Sequence, residues 1–179
     1  MYGKTRGYSL LNLLTSLAVS AILLGIGLPS MASFITTNRI STHVTQFAGA
    51  LAFARTEAIT RNQSVIICKS KDQLKCSTES AWHEGWMIFV DDNQNHQYDD
   101  HELVLLRDGL PHANLWIDYK GFESHAYVVF RPIGATTSNG SFTLCDTTAT
   151  GSARALIINR SGRIRASTSK ADGTPLVCG

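Results

Sequence analysis

Five basic residues, Arg154, Arg160, Arg163, Arg165 and Lys170, fall between Thr147 and Ala171, and no acidic residue interrupts them. The chain of 179 residues carries a formal net charge of only +2, so the remainder is net negative. Charge gathered in this way suits a polyanion. Arginine presents a planar fork of donors that fits phosphate oxygens. Residues two apart on a strand share a face, which would let Arg163 and Arg165 act together. Gly162, just before them, would let the backbone turn sharply or approach a phosphate closely. Ser161, Ser167, Thr168 and Ser169 add small hydroxyl donors. Lys69, Lys71 and Lys75 form a second basic cluster that would widen the footprint if folding brings it near. The other reading of these residues is a solvated edge strand, guarded by charge against aggregation. There is no helix-turn-helix, zinc-finger or RNA-recognition signature. Contacts to nucleic acid would therefore be to phosphate, sequence-independent and salt-sensitive.

Other constellations are weaker. Asp91, Asn93, Asn95, Asp99 and Glu102 fall at positions 1, 3, 5, 9 and 12 of an EF-hand-like spacing, a weak calcium candidate. His96 stands where such a loop needs glycine, and the flanks read as strands. Asx side chains that brace a turn are the alternative. Cys68 and Cys76 lie eight apart, and Cys145 and Cys178 flank the C-terminal segment. In an oxidising compartment these form two disulfides, with Cys68–Cys76 and Cys145–Cys178 the expected connectivity of three. A metal site is the alternative, although zinc sites favour tighter spacing. Trp82, Trp86 and Trp116 would stack on bases or pack a core, with the core preferred. No HExxH, GxSxG or Walker loop is present, so the sequence predicts neither an enzyme nor a cofactor.

These residues need elements to carry them. Lys4 and Arg6 precede a stretch from Gly7 to Asn38 with no charged side chain. Residues 8–30 are long enough to cross the ~30 Å hydrocarbon layer as a helix. The leading positive charge predicts a cytoplasmic N-terminus and a head outside the cytoplasm. A secretory signal peptide is the alternative, but the apolar run continues into a longer helical pattern. Ile40, Val44, Phe47, Leu51, Ala54 and Ala58 recur at steps of four and three, the stripe of an amphipathic helix. One helix over 8–61 is expected, its amphipathic half spanning 31–61, with Asn62 as the stop.

From 62 to 179 the pattern is a β-rich head. Short runs read as strands: Val65–Cys68, Trp86–Val90, Leu103–Leu106, Leu115–Tyr119, Tyr127–Phe130, Ser141–Cys145, Ala155–Asn159 and Arg163–Ser167. Asn139-Gly140 reads as a tight hairpin turn. Pro111, Pro132 and Pro175 fall in connections. The fold class is α+β, a long N-terminal helix followed by antiparallel sheets.

Gly7-Tyr8-Ser9-Leu10-Leu11-Asn12-Leu13-Leu14 resembles a prepilin cleavage motif. Trp82-His83-Glu84-Gly85-Trp86-Met87-Ile88-Phe89-Val90-Asp91-Asp92-Asn93-Gln94-Asn95, followed by Asp99, Glu102 and Leu105-Leu106-Arg107, resembles the GspH/FimT family of minor pilins and pseudopilins. Ala52, Arg55, Glu57, Ala58, Arg61 and the closing 153–165 extend the resemblance over the chain. It implies a type IV pilin-like fold and a leader of residues 1–7. Prepilin peptidase would cut after Gly7 and methylate Tyr8, and Pro29 would kink the helix. Asn12 stands where pilins usually carry a glutamate for assembly, which argues for a minor subunit. The implied partners are other minor and major pilins. The implied location is the bacterial inner membrane, single-pass with a periplasmic head, and then the pilus at the cell surface. Gly162-Arg163-Ile164-Arg165 matches the GRxR motif associated with DNA-binding FimT proteins. It implies a minor pilin that binds extracellular double-stranded DNA and supports DNA uptake in natural transformation. The alternative is a structural minor pseudopilin of type II secretion with no nucleic-acid binding.

Overall fold

A computed structural model describes residues 9–108, 114–148 and 153–178, with the backbone alone at 26–33, 35 and 36. The expected cleavage site at Gly7 and Tyr8, the side chain of Pro29 with its expected kink, and Pro111 lie outside the described residues. The chain divides into two units, residues 1–38 and 39–179. Helix α1 is Leu10–Arg61. Ser9 precedes it, and its Oγ accepts from the Leu11 amide at 3.2 Å, a cap for an otherwise orphaned donor. In the first unit Leu11, Leu14, Leu17 and Ile22 are among the exposed apolar side chains of α1. Among the described residues no helix is long and apolar enough to cross a membrane. The expected span over 8–30 begins before those residues, and at its far end, 26–30, only the backbone is described.

In the second unit, α1 buries its stripe. Ile40, Val44, Phe47, Leu51, Ala54 and Ala58 all join one apolar cluster with the inner faces of two sheets. Asn62 stops the helix in a left-handed conformation, φ 54°. The amide of Gln63 then donates back to the carbonyl of Ala58, which satisfies a helix-end acceptor.

Eight strands follow: β1 (Ser64–Lys69), β2 (Trp86–Asp91), β3 (Val104–Asp108), β4 (Leu115–Gly121), β5 (Tyr127–Phe130), β6 (Gly140–Asp146), β7 (Ala153–Ile158) and β8 (Ile164–Ser167). One sheet has the order β3-β2-β1-β5 and the other β4-β6-β7-β8. Every pairing is antiparallel. β1 and β2 are apolar runs rather than alternating ones because both faces of their sheet are covered. Val65, Ile67 and Ile88 face the helix-side core, while Ile66, Met87 and Phe89 build a second cluster with Tyr98 and Tyr127.

Asn139-Gly140 is not a hairpin turn. The strand before it, β5, pairs with β1, whereas β6 pairs with β4 and β7. The chain passes between sheets there, and Gly140 opens β6 opposite Gly121. The disulfides Cys68–Cys76 and Cys145–Cys178 are both formed. The second ties the C-terminal segment to β6.

Candidate nucleic-acid interface

β7 and β8 form a hairpin at the free edge of the second sheet, in the register Ile158↔Ile164 and Ile157↔Arg165. Ile164 packs against the core. Alternation therefore turns Arg163 and Arg165 to the other, outer face. Both are exposed. No ion pair or side-chain hydrogen bond among the described residues engages either guanidinium. Asn159 holds the turn: its Oδ1 accepts from the Arg163 amide at 2.9 Å and from Ser161 Oγ at 2.7 Å.

Gly162 has a structural part rather than a direct one. Its φ is +73°, and a Cβ there would lie 2.0 Å from the carbonyl oxygen of Gly134. Its close approach is to protein backbone, not to open space for a phosphate. Arg55, half-buried on α1, secures this junction. Its Nε donates to Gly134 O at 2.9 Å and its Nη2 to Ser161 O at 3.3 Å. The helix thus fixes the turn that carries the exposed arginines.

The other basic candidates divide. Arg160 is exposed on the same turn, its Cζ 6.0 Å from the centroid of the Phe122 ring. Arg154 shares the face of Leu156 and Ile158, the reverse of the Arg165 face, and donates to its neighbour's carbonyl at Ala153. Lys170 sits in the C-terminal segment beside Asp172. The Thr174 hydrogen bonds, with Lys170, hold that carboxyl below the usual range.

The lysine cluster does not join them. Lys71 pairs with Glu84 at 2.6 Å, and this hydrogen bond draws the carboxyl pKa down. Lys69 Nζ donates to Thr78 O at 2.8 Å. Burial lowers the Lys69 pKa, with Asp118 of β4 pulling the other way. β4 is the opposite edge of the sheet from β8, about 14 Å away at three strand spacings. Lys71 and Lys75 line a pocket with Asp72, Glu79 and Glu84.

A family model described as Type II transport protein GspH matches residues 43–162. The chain belongs to this GspH family. It is 33% identical over 171 residues to the pilin-like protein PilA1 of Thermus thermophilus, covering 89% of this chain and 97% of that one. Two crystal structures of the type IV minor pilin FimU of Pseudomonas aeruginosa share the fold. Their TM-scores are 0.56 and 0.53 at 22% and 20% identity, covering 73% and 71% of this chain and 89% and 91% of theirs. The fold is thus pilin-like, an N-terminal helix with an antiparallel-sheet head. The family match takes in Arg55, Gly134 and Gly162 and ends just before Arg163.

The acidic loop of this GspH-family head braces itself rather than gathering ligands. Both Glu102 oxygens accept backbone amides, from Asp92 and Asp99, at 3.0 Å. Asp99 Oδ2 accepts from the side-chain Nδ2 groups of Asn93 and Asn95 at 2.7 and 2.9 Å. Asn93 and Asn95 each cap a turn two residues on. Asp91 Oδ2 takes the His96 amide, and His96 itself adopts φ 62° in the place of a glycine. Among the described residues no three acidic, histidine or cysteine side chains are placed to hold a metal. Of the five residues with the EF-hand-like spacing, Asn93, Asn95, Asp99 and Glu102 are instead engaged with donors and acceptors of the loop itself. The loop covers the outer face of the first sheet, with Tyr98 edge-on to Phe89 at 5.5 Å.

Trp82 and Trp86 are buried against Phe47 and unavailable to bases. Arg55 and Phe122 carry roles that the sequence reading did not assign. For Arg55 a signal exists: a charged residue directly beside the buried Ala54 of the helix stripe.

Proposed function

We propose that this chain is a minor type IV pilin of the FimT kind, which binds extracellular double-stranded DNA without sequence preference and supports its uptake in natural transformation. One observation carries the reading: Arg163 and Arg165 share an exposed sheet edge, and neither guanidinium has a partner among the described residues. An unpaired guanidinium on a rigid hairpin meets a phosphate without first breaking an internal bond. Arg160 extends the edge. Gly162 and Arg55 position it. Lys69, Lys71 and Arg154 contribute little, because they are paired or face elsewhere. Single-subunit affinity is expected in the ~1–100 μM range of non-specific binding. Several subunits in a filament would raise it by avidity.

In this reading prepilin peptidase cuts after Gly7 and methylates Tyr8. The helix over 8–30 holds the subunit in the inner membrane with its head in the periplasm, and the subunit then joins other minor and major pilins. The role is non-enzymatic. Gel shifts with the full chain in detergent and a short duplex test it: Arg163→Ala with Arg165→Ala should abolish the shift. An unchanged shift from a folded double variant would sink the idea.

The family match favours a second reading, a structural pseudopilin of type II secretion. In cells the two separate cleanly. The double variant loses transformation and keeps secretion in the first reading, and leaves both unchanged in the second.

A further inference from the structure

We infer that a groove beside Phe122 and Arg160 receives an unpaired nucleobase, so that single-stranded DNA gains a contact that duplex cannot make. The inference rests on the DNA-binding reading and adds a base site to it.

Phe122 is 78% exposed, on the connection after β4. A solvent-facing phenyl ring with a guanidinium 6.0 Å from its centroid is a stacking surface already carrying a cation. Both components are anchored. The Phe122 amide donates to Asn139 O at 2.9 Å, and the Thr136 amide donates to Arg160 O at 3.0 Å. Between them lies a groove of about 380 Å³ lined by Phe122, Glu123, Thr136, Thr137, Asn139 and Arg160. Asn139 Oδ1 is buried in this lining without a hydrogen-bond partner.

These features select one chemistry. The ring and guanidinium offer a flat face to a flat ligand. A rotation of the Asn139 side chain would turn its enclosed, unpartnered oxygen toward a donor, which the exocyclic amino group of adenine, cytosine or guanine supplies. The Glu123 carboxylate repels phosphate, so the base enters while its phosphate stays on the side of Arg160 and Arg163. A paired base cannot enter, because its edge and faces are occupied in the duplex.

Fluorescence anisotropy with the full chain in detergent tests this. The probes are labelled (dA)12, an abasic strand of equal length, and a duplex, all at one salt concentration. Phe122→Ala should weaken (dA)12 binding about fivefold to a hundredfold and leave duplex binding unchanged, with Phe122→Trp restoring it. Wild-type protein should bind the abasic strand as weakly as Phe122→Ala binds (dA)12. That arm needs no variant. Equal binding of (dA)12 and the abasic strand would overturn the base site alone, provided duplex still binds. Failure of wild-type protein to bind any probe would overturn the DNA reading with it. If Phe122→Ala disrupts association between copies of the chain and spares (dA)12, the groove belongs to a neighbouring subunit and the inference falls.

Discussion

Two lysine- and arginine-rich stretches of this chain look alike in sequence and differ in the fold. In the loop closed by Cys68–Cys76, Lys71 is bound to Glu84 and Lys69 to Thr78. On the β7–β8 hairpin, the guanidinium groups of Arg163 and Arg165 have no such partner among the described residues, and the turn beneath them is locked by Asn159, Gly162 and Arg55. A charge with an internal partner serves the fold. A charge whose backbone is held while its side chain is idle is available to something else. Counting charges along the chain does not separate these cases.

The comparison can be broken at several points. Gly162→Ala should have the largest effect. A left-handed φ and a Cβ driven onto Gly134 O should cost about 2–4 kcal/mol in urea unfolding. Stability within about 0.5 kcal/mol of wild type would mean the hairpin is not locked by Gly162. Next, Arg163→Ala with Arg165→Ala should weaken duplex binding about tenfold to a hundredfold and leave the melting temperature unchanged, because neither guanidinium has a partner to lose.

A paired charge should behave in the opposite way. Asp146 accepts from Thr148 at 2.8 Å and meets Arg39 at 3.5 Å. Burial alone would raise its pKa, but the Thr148 hydrogen bonds and Arg39 outweigh it and hold the carboxyl below its ordinary 3.8. The folded-state pKa is depressed, so the stabilisation is present at neutral pH and is lost as pH falls through the folded value. Asp146→Asn should therefore cost about 1–2 kcal/mol near pH 7, a difference from wild type that shrinks in acid below pH 3.8. A penalty independent of pH would refute the charge argument. Smaller still, Lys71→Ala with Lys75→Ala should change duplex binding less than about twofold. Calcium should shift the melting temperature by less than about 1 °C, since Asp99 and both oxygens of Glu102 are already engaged within the loop.

Much of this architecture is legible in the sequence where the signal is local. The four-and-three spacing from Ile40 to Ala58 marks the buried face of α1, and all eight strand runs are present. What local patterns cannot carry is partnership across the chain. Asn139-Gly140 has the composition of a hairpin turn, yet the strands beside it pair with others far away. Arg55 finds its acceptors 79 and 106 residues on, so no window reveals it as the clamp of the hairpin. The EF-hand-like spacing fails for a related reason. Asx side chains suit a metal and a turn equally, and only the positions of the backbone amides decide. Phe122 reads as one aromatic in a connector because its exposure, and the guanidinium near it, depend on how two distant loops meet.

The central claim is that the unpaired edge arginines deliver DNA binding, and the salt dependence of duplex affinity addresses it most directly. With Arg160, Arg163 and Arg165 engaged, the logarithmic slope for wild-type protein should be roughly −3, and for Arg163→Ala with Arg165→Ala roughly −1. Equal slopes for the two proteins would contradict the account.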